Sequence, residues 1–467
     1  MMMRLSEAAQ AIGGELRGED REFDAVSSDT RALPPHALFV ALKGERFDGH
    51  DFLARAAELQ AAAALVDLGS ARAQEAGLSS VAVEDTRLAL GRLAAYWRSK
   101  FAIPLVALTG SNGKTTVKDM LASILREAFD ESRAPDSESR VLATRGNLNN
   151  DIGVPLTLLE LRSGHRCAVI EMGMNHAGEI RYLGRLARPD VALITNAGAA
   201  HREFFDSEEE IAHAKGEIFE GLQAGGAAVI NADDRYAGLW RALAIGRRVV
   251  EFGLEHEATV TARYALRFLE SEIVVQTPLG SAVAVLKTPG LHNVANALAA
   301  SAAAFALDVP TPHIATGLSR FAGVKGRLQK KAAAHGATLI DDTYNANPDS
   351  VRAAIAVLAQ APGRRLMVLG DMGELGSTAA DMHAGIGHYA RTSGIDRLLT
   401  LGELSAHAAR AFGERARHHA RIEDLIDSIR KELAPDVALL VKGSRFMRME
   451  RVVQAIEADG DRAKARS

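Results

Sequence analysis

Cysteine is almost absent from this chain. The single Cys167, inside the apolar run CAVIEM, excludes an intrachain disulfide and fits a reducing compartment. It reads as a buried core thiol. A basic excess is missing too: 55 lysines and arginines stand against 59 aspartates and glutamates, a formal net charge of −4. That balance argues against a nucleic-acid partner, since there is no surplus of cations to displace phosphate counterions. No stretch approaches the ~20 uninterrupted apolar residues of a membrane span. The opening MMMRLSEAAQAIGGEL lacks the apolar core of a secretion signal. A cytoplasmic protein without membrane insertion is therefore expected. No repeat of 20–50 residues is found, which removes solenoids and propellers.

What remains is ordinary globular composition, with 47% apolar and 24% charged residues over 467 positions. That length predicts about three domains.

The chain is organised around Ile103–Leu125, IPLVALTGSNGKTTVKDMLASIL. A short β-branched run up to Leu108 predicts a buried parallel strand. Val117, Met120, Leu121, Ile124 and Leu125 then mark one face of a helix. Between them lie Thr109, Gly110, Ser111, Asn112, Gly113, Lys114, Thr115 and Thr116. Strand, glycine loop and helix N-terminus make a phosphate cradle. The glycines let backbone N–H groups approach an anion, and the helix adds about half a positive charge. Lys114 supplies charge to the β/γ-phosphates, and the Thr115 hydroxyl suits Mg²⁺. The general pattern wants a glycine where Leu108 stands, so T-G-x-x-G-K-T-T is a variant. A plain surface turn is the alternative, and the flanking strand and helix weigh against it. The expected ligand is a nucleoside triphosphate.

Around this core, residues 1–100 read as a small α/β domain. A helix should stop at Gly13-Gly14, and the alternation in ALFVAL, Ala37–Leu42, suggests a strand. Ser27–Arg31, SSDTR, offers hydroxyls and a guanidinium to a phosphate-bearing ligand. It also fits an ordinary capped turn, the reading that residue types alone favour. Residues 101–326 alternate strand and helix as a doubly wound parallel sheet would. Glu171, Asn196 and Asn231 fall at or after strand ends, where ligands of such sheets gather. Residues 130–140 read as a mobile polar loop. Residues 327–467 alternate again, and GDMGELG, residues 370–376, reads as a tight strand-to-helix turn.

Several side chains have both a plain and a chemical reading. Glu171 caps a helix or binds a metal; His201 is a surface histidine or joins it. Ser207 and Glu210 form a capping box for the helix SEEEIAHAKGEIFEGL. Lys215 then shares the stripe of Ile211, Ile218 and Leu222. There it either snorkels or loses proton affinity through desolvation. Asn293 and Asn296 are helix caps or readers of a base edge. Arg327 and Asp342 lie at and beyond a domain joint, where a charge from the last domain would couple closure to catalysis.

In order, TGSNGKTT, EMGMN, AHREFF, the AKGEIF lysine, LHNVANALAA, KGR and DDTYNANP resemble the motif series of the ATP-dependent Mur ligase family, over essentially the whole chain. NNDIGVPLTLL, DDTYNANPDS, LGDMGELG and LVKGSRFMRME are similar to the branch that adds D-alanyl-D-alanine. The D-N-P-R motif of the diaminopimelate-adding relatives is absent, with Ala346-Asn347-Pro348-Asp349 as the nearest match. Gly326 stands where some relatives place a histidine.

The resemblance implies an N-terminal domain for a UDP-sugar peptide, a central ATPase and a Rossmann-like C-terminal domain for the incoming amine. The substrates it implies are ATP, UDP-N-acetylmuramoyl-tripeptide and D-alanyl-D-alanine, with Mg²⁺ as cofactor and the chain acting as a monomer. ATP would be held by Gly110 to Thr116, Asn293, Arg327 and Asp342. Thr115, Glu171, His201 and Lys215, the last as a carbamate, would surround Mg²⁺. Lys114, Glu171, His201 and Lys215 would carry catalysis, and Thr30, Arg31, Asn149 and Asn150 would contact the UDP-peptide. Competing readings are a diaminopimelate- or lysine-adding ligase, a folylpolyglutamate synthase, or an ATPase switch or transporter subunit that makes no amide.

Overall fold

A computed structural model describes residues 1–129, 139–198, 205 and 207–457. The expected mobile loop at 130–140, apart from its last two residues, and the end of the charged tail lie outside these residues. The chain is α/β, as expected, and forms two compact units. Among the described residues no helix is long and apolar enough to cross a membrane.

The first unit comprises Met1–Leu108, Glu131–Ala192 and Glu217–Ala227. Its helix Leu5–Ile12 ends at Gly13, whose φ of 71° lets its N–H return to the Ala9 carbonyl. A five-stranded sheet follows in the order Glu15–Arg17, Ser80–Val83, Ala63–Asp67, Ala37–Val40, Ala25–Ser27. Only the first of these strands pairs antiparallel. The expected strand at ALFV forms, but all four residues are buried. Ala37 and Phe39 pack on Leu53, Ala56 and Ala73. Leu38 and Val40 are covered as well, so the apparent alternation was a run buried on both faces. Later in the unit, Cys167–Glu171 lies parallel to both Leu105–Thr109 and Val141–Ala143. Cys167 is a core thiol there, and burial pushes its pKa up to about 12.

The second unit comprises Thr109–Asp130, Leu193–Gly216 and Ala228–Ser467. Its phosphate-loop helix, Lys114–Ala128, buries the five residues expected, Val117, Met120, Leu121, Ile124 and Leu125. Helices Leu291–Ala306 and Thr311–Arg320 pack on it. Gly317 permits the closest approach, because a Cβ there would sit 2.4 Å from Ile124 Cα. The alternating pattern does not run unbroken to residue 326. Thr261–Arg267, Glu270–Thr277 and Gly280–Leu286 form an antiparallel three-stranded sheet.

The last six strands run in the order Gln329–Ala332, Thr338–Asp342, Val437–Lys442, Arg364–Gly370, Arg397–Leu401, Ala416–His419. All but the first pairing are parallel. Successive strand residues point to opposite faces. Ile340, Met367 and Leu440 meet Val351, Ile355 and Ile386 on one side. Leu339, Val368 and Val441 meet Leu425, Ile429 and Val452 on the other. Helices on both faces make this a doubly wound sheet and explain why its strands are continuous apolar runs.

Candidate active site

The phosphate loop is built from the sequence signals that announced it. Gly110 has a φ of 153°, and a Cβ there would come 1.8 Å from Thr195 Oγ1. At Gly113 φ is 82°, and a Cβ would come 2.2 Å from Asn296 Oδ1. Both positions therefore require glycine. Asn196 clamps the loop: its Oδ1 accepts from the Asn112 N–H at 2.9 Å, and its Nδ2 donates to the Asn112 carbonyl at 3.1 Å. Thr195 Oγ1 donates to the same carbonyl at 2.7 Å. Asn231 Nδ2 in turn donates to the Thr195 carbonyl at 2.9 Å. The strand-end asparagines thus hold the loop's shape. Ser111 Oγ accepts from the Gly198 N–H at 3.0 Å, and Thr116 is buried.

Lys114 Nζ donates to the Gly110 carbonyl at 2.6 Å, folding back along the cradle. Arg327 Nη2 donates to Thr115 Oγ1 at 3.1 Å, and its guanidinium stacks 4.4 Å from the Tyr344 ring centroid. The charge expected at the joint is therefore on the phosphate-loop helix. Asp342 is engaged within the protein. Its Oδ2 accepts from Lys442 Nζ at 2.7 Å, a buried pair that Lys442 extends to the Asn345 carbonyl. Asn293 is only 5% exposed; its Nδ2 donates to the Pro289 carbonyl and its Oδ1 accepts from Asn296. Gly290 is the N-cap of that helix, so the expected amide caps do not form.

Lys215 is 1% exposed. Its helix runs Glu208–Gly216 and then tightens to a 3-10 turn at Glu217–Gly221, so the expected stripe does not continue as one α-helix through Ile218 and Leu222. Ser207 Oγ accepts from the Glu210 N–H, as a cap should. Among the described residues no carboxylate pairs with the Lys215 amine. Burial, and then the Lys114 charge, push its proton affinity well down.

In the first unit, Glu171 is 2% exposed; its Oε1 accepts from Asn149 Nδ2 at 2.8 Å. Its Oε2 is buried with no hydrogen-bond partner among the described residues. A buried carboxylate oxygen left open in this way fits a cation. Asn150 caps the helix Gly153–Leu159 through the Gly153 N–H. Asp29 caps a 3-10 turn at Thr30–Ala32 and pairs with the exposed Arg31, which holds the Asp29 carboxyl down to about 2. Thr30 and Arg31 thus sit in the capped turn that residue types favoured. His201 lies outside the described residues, among which no three His, Cys, Asp or Glu side chains cluster as a metal site.

The GDMGELG turn is held by a histidine of the following helix, Ala379–Thr392, that sequence reasoning passed over. His383 Nε2 accepts from the Met372 N–H at 2.9 Å, and its Nδ1 lies 2.7 Å from the Ala379 carbonyl, which assigns the Nδ1–H tautomer. Burial lowers its pKa below 6.5. As pH falls through 6.5 the unfolded chain takes the proton first, so this contribution to stability is lost on acidification. The melting temperature should fall between pH 7 and pH 5, and fall less in His383→Gln. Equal slopes in a pH series of thermal melts would refute it.

Comparison with known proteins supplies the rest. Residues 22–98 match the Mur ligase family catalytic domain, 108–304 the Mur ligase middle domain, and 326–445 the Mur ligase glutamate ligase domain. The UDP-N-acetylmuramoyl-tripeptide–D-alanyl-D-alanine ligase of Escherichia coli is 43% identical over 98% of each chain. A crystal structure of MurF from Acinetobacter baumannii superposes with a TM-score of 0.88 at 37% identity, over 97% of this chain and 98% of that one. MurF from Thermotoga maritima in complex with ADP gives 0.79 at 26% identity, over 92% and 96%. With all three family models in sequence order and near-complete coverage of relatives at this identity, the chain belongs to the Mur ligase family.

Proposed function

We propose that this protein is an ATP-dependent amide ligase that joins D-alanyl-D-alanine to UDP-N-acetylmuramoyl-tripeptide in peptidoglycan precursor synthesis. The observation that carries the reading is the glycine loop at a helix N-terminus with Lys114 in it, inside a chain similar end to end to ligases of that name. Residues 1–100 take the UDP-peptide through Thr30 and Arg31, and Asn149 and Asn150 of the central segment contact it as well. Residues 101–326 take ATP on Gly110 to Thr116 and Asn293. Residues 327–467 take the dipeptide and bring Arg327 and Asp342 to the nucleotide. Asn293 and Asp342, both buried in hydrogen bonds within the protein, must exchange those partners to do so. The enzyme acts as a cytoplasmic monomer.

The chemistry follows from the substrate. A carboxylate is a poor acyl donor because oxide is a poor leaving group. Transfer of the γ-phosphoryl group to the peptide carboxylate gives an acyl phosphate and ADP. The dipeptide amine then attacks the acyl carbon, a tetrahedral intermediate forms, and phosphate leaves as the amine loses its proton. Lys114 and the loop N–H groups hold the charge that moves during phosphoryl transfer. Thr115, Glu171, His201 and a carbamylated Lys215 are the groups proposed to hold Mg²⁺, which supplies Lewis-acid neutralisation of phosphate charge.

Amine choice separates this reading from a diaminopimelate-adding ligase. Incubation with ATP, UDP-muramoyl-tripeptide or -dipeptide, and either D-alanyl-D-alanine or diaminopimelate, followed by mass spectrometry, should show only the tripeptide product gaining the D,D-dipeptide. A product gaining diaminopimelate alone would transfer the protein to the sister activity.

A further inference from the structure

One side chain carries two roles that no single motif requires together. Asn347 is the N-cap of the helix Pro348–Leu358. Its Oδ1 accepts from the Ser350 N–H at 2.8 Å, and the Asn347 N–H returns to Ser350 Oγ at 3.0 Å, a reciprocal cap. The other end of the same amide, Nδ2, donates to Asn112 Oδ1 at 2.8 Å. Asn112 sits at the crest of the phosphate loop, its backbone already held on both sides by Asn196 and Thr195. Asn347 completes that set by fixing the side chain.

The segment leading into Asn347 is itself pinned. The Asn345 carbonyl accepts from Lys442 Nζ at 2.8 Å, and the Ala346 carbonyl accepts from Ser444 Oγ at 3.0 Å. Ser444 Oγ accepts in turn from the Gly373 N–H at 2.8 Å, in the GDMGELG turn. Asn347 therefore has a rigid base in the carboxyl ends of the last sheet and a tip on the phosphate loop. Capping alone does not call for asparagine, since serine and aspartate cap about as well. The bond to Asn112 needs a side chain that accepts at one end and donates at the other, at amide length.

We propose that Asn347 is a positioning residue for the nucleotide site. It fixes Asn112, and with it the phosphate-binding N–H groups of the loop, to the helix that opens the amine-binding segment. This rests on the reading of the loop as a nucleotide cradle. Nucleotide affinity is thereby tied to the seating of the last segment, at a residue that touches neither phosphate nor amine.

Asn347→Ser keeps the cap but is too short to reach Asn112. Its melting temperature should match the wild type, while the dissociation constant of ADP by calorimetry, and KM for ATP, rise about three- to tenfold, the value of one neutral hydrogen bond. KM for the dipeptide should not move. Asn112→Ala should weaken ADP by a similar factor. The double variant should be no worse than the weaker single one, because both remove the same bond. Multiplying effects, or unchanged ADP affinity in Asn347→Ser, would overturn the proposal. A purely structural role would instead lower melting and leave KM for ATP in place. If the wild type binds ADP and forms amide while Asn347→Ser is unaffected, this inference fails alone. A wild type that binds no nucleotide removes the cradle reading and the inference with it.

Discussion

Lys114→Ala is expected to lower amide formation by roughly a thousandfold or more while the protein melts as before. The magnitude, about 4 kcal/mol in the barrier, is that of removing a preorganised charge from a site where phosphoryl charge moves. Lys114 is one of several groups that contact the loop backbone. Its ammonium rests on the Gly110 carbonyl, and the loop keeps its shape through Asn196, Thr195 and Ser111. Steady-state kinetics with both substrates saturating, beside a melting curve, reads the effect. Near-normal turnover in a folded variant would move the nucleotide site elsewhere.

Lys215→Ala is expected to be nearly inactive, and to recover in part with millimolar acetate or formate. An ammonium at 1% exposure without a carboxylate partner among the described residues is a costly arrangement, and the nearby Lys114 charge adds to the cost. Burial therefore favours the neutral amine, the form that adds CO₂. A carbamate formed there would be an anion, would offset the Lys114 charge and could bind a metal ion. Small carboxylates would refill the vacated anion site. Wild-type activity should also fall in CO₂-depleted buffer and return with bicarbonate. Full activity in Lys215→Ala would sink the carbamate account, because a lysine that only packs can be truncated without loss of chemistry.

The phosphate loop and the last sheet were legible in the sequence for local reasons. A glycine loop between an apolar run and an amphipathic helix has few other uses, and strands covered on both faces write themselves as runs such as LLVK and LMVLG. The antiparallel sheet at 261–286 was not legible. Its strands are joined by Phe268-Leu269 and Pro278-Leu279, which lack the Asn-Gly or Asp-Gly signature of tight hairpins. Its middle strand does alternate, burying Ser271, Ile273 and Val275, and that period was the signal available. The helix carrying Lys215 was overextended because an apolar stripe continues past Gly216 in sequence, whereas the backbone tightens there. Site residues were harder still. Asn293 and Asp342 have the right chemistry for a ligand, but the structure commits their polar atoms to Pro289, Asn296 and Lys442. Asn347 was visible only as part of a motif, because its contact with Asn112 joins positions 235 residues apart.

The most direct test of the central claim is the stoichiometry of ADP against amide. Purified protein is given Mg²⁺, ATP and UDP-N-acetylmuramoyl-tripeptide, with and without D-alanyl-D-alanine, and ADP and UDP-muramoyl-pentapeptide are quantified together. The account predicts one ADP per pentapeptide formed, and no sustained turnover when either the UDP-peptide or the dipeptide is withheld. Steady ADP release without pentapeptide would contradict it and make the protein an ATPase of another kind.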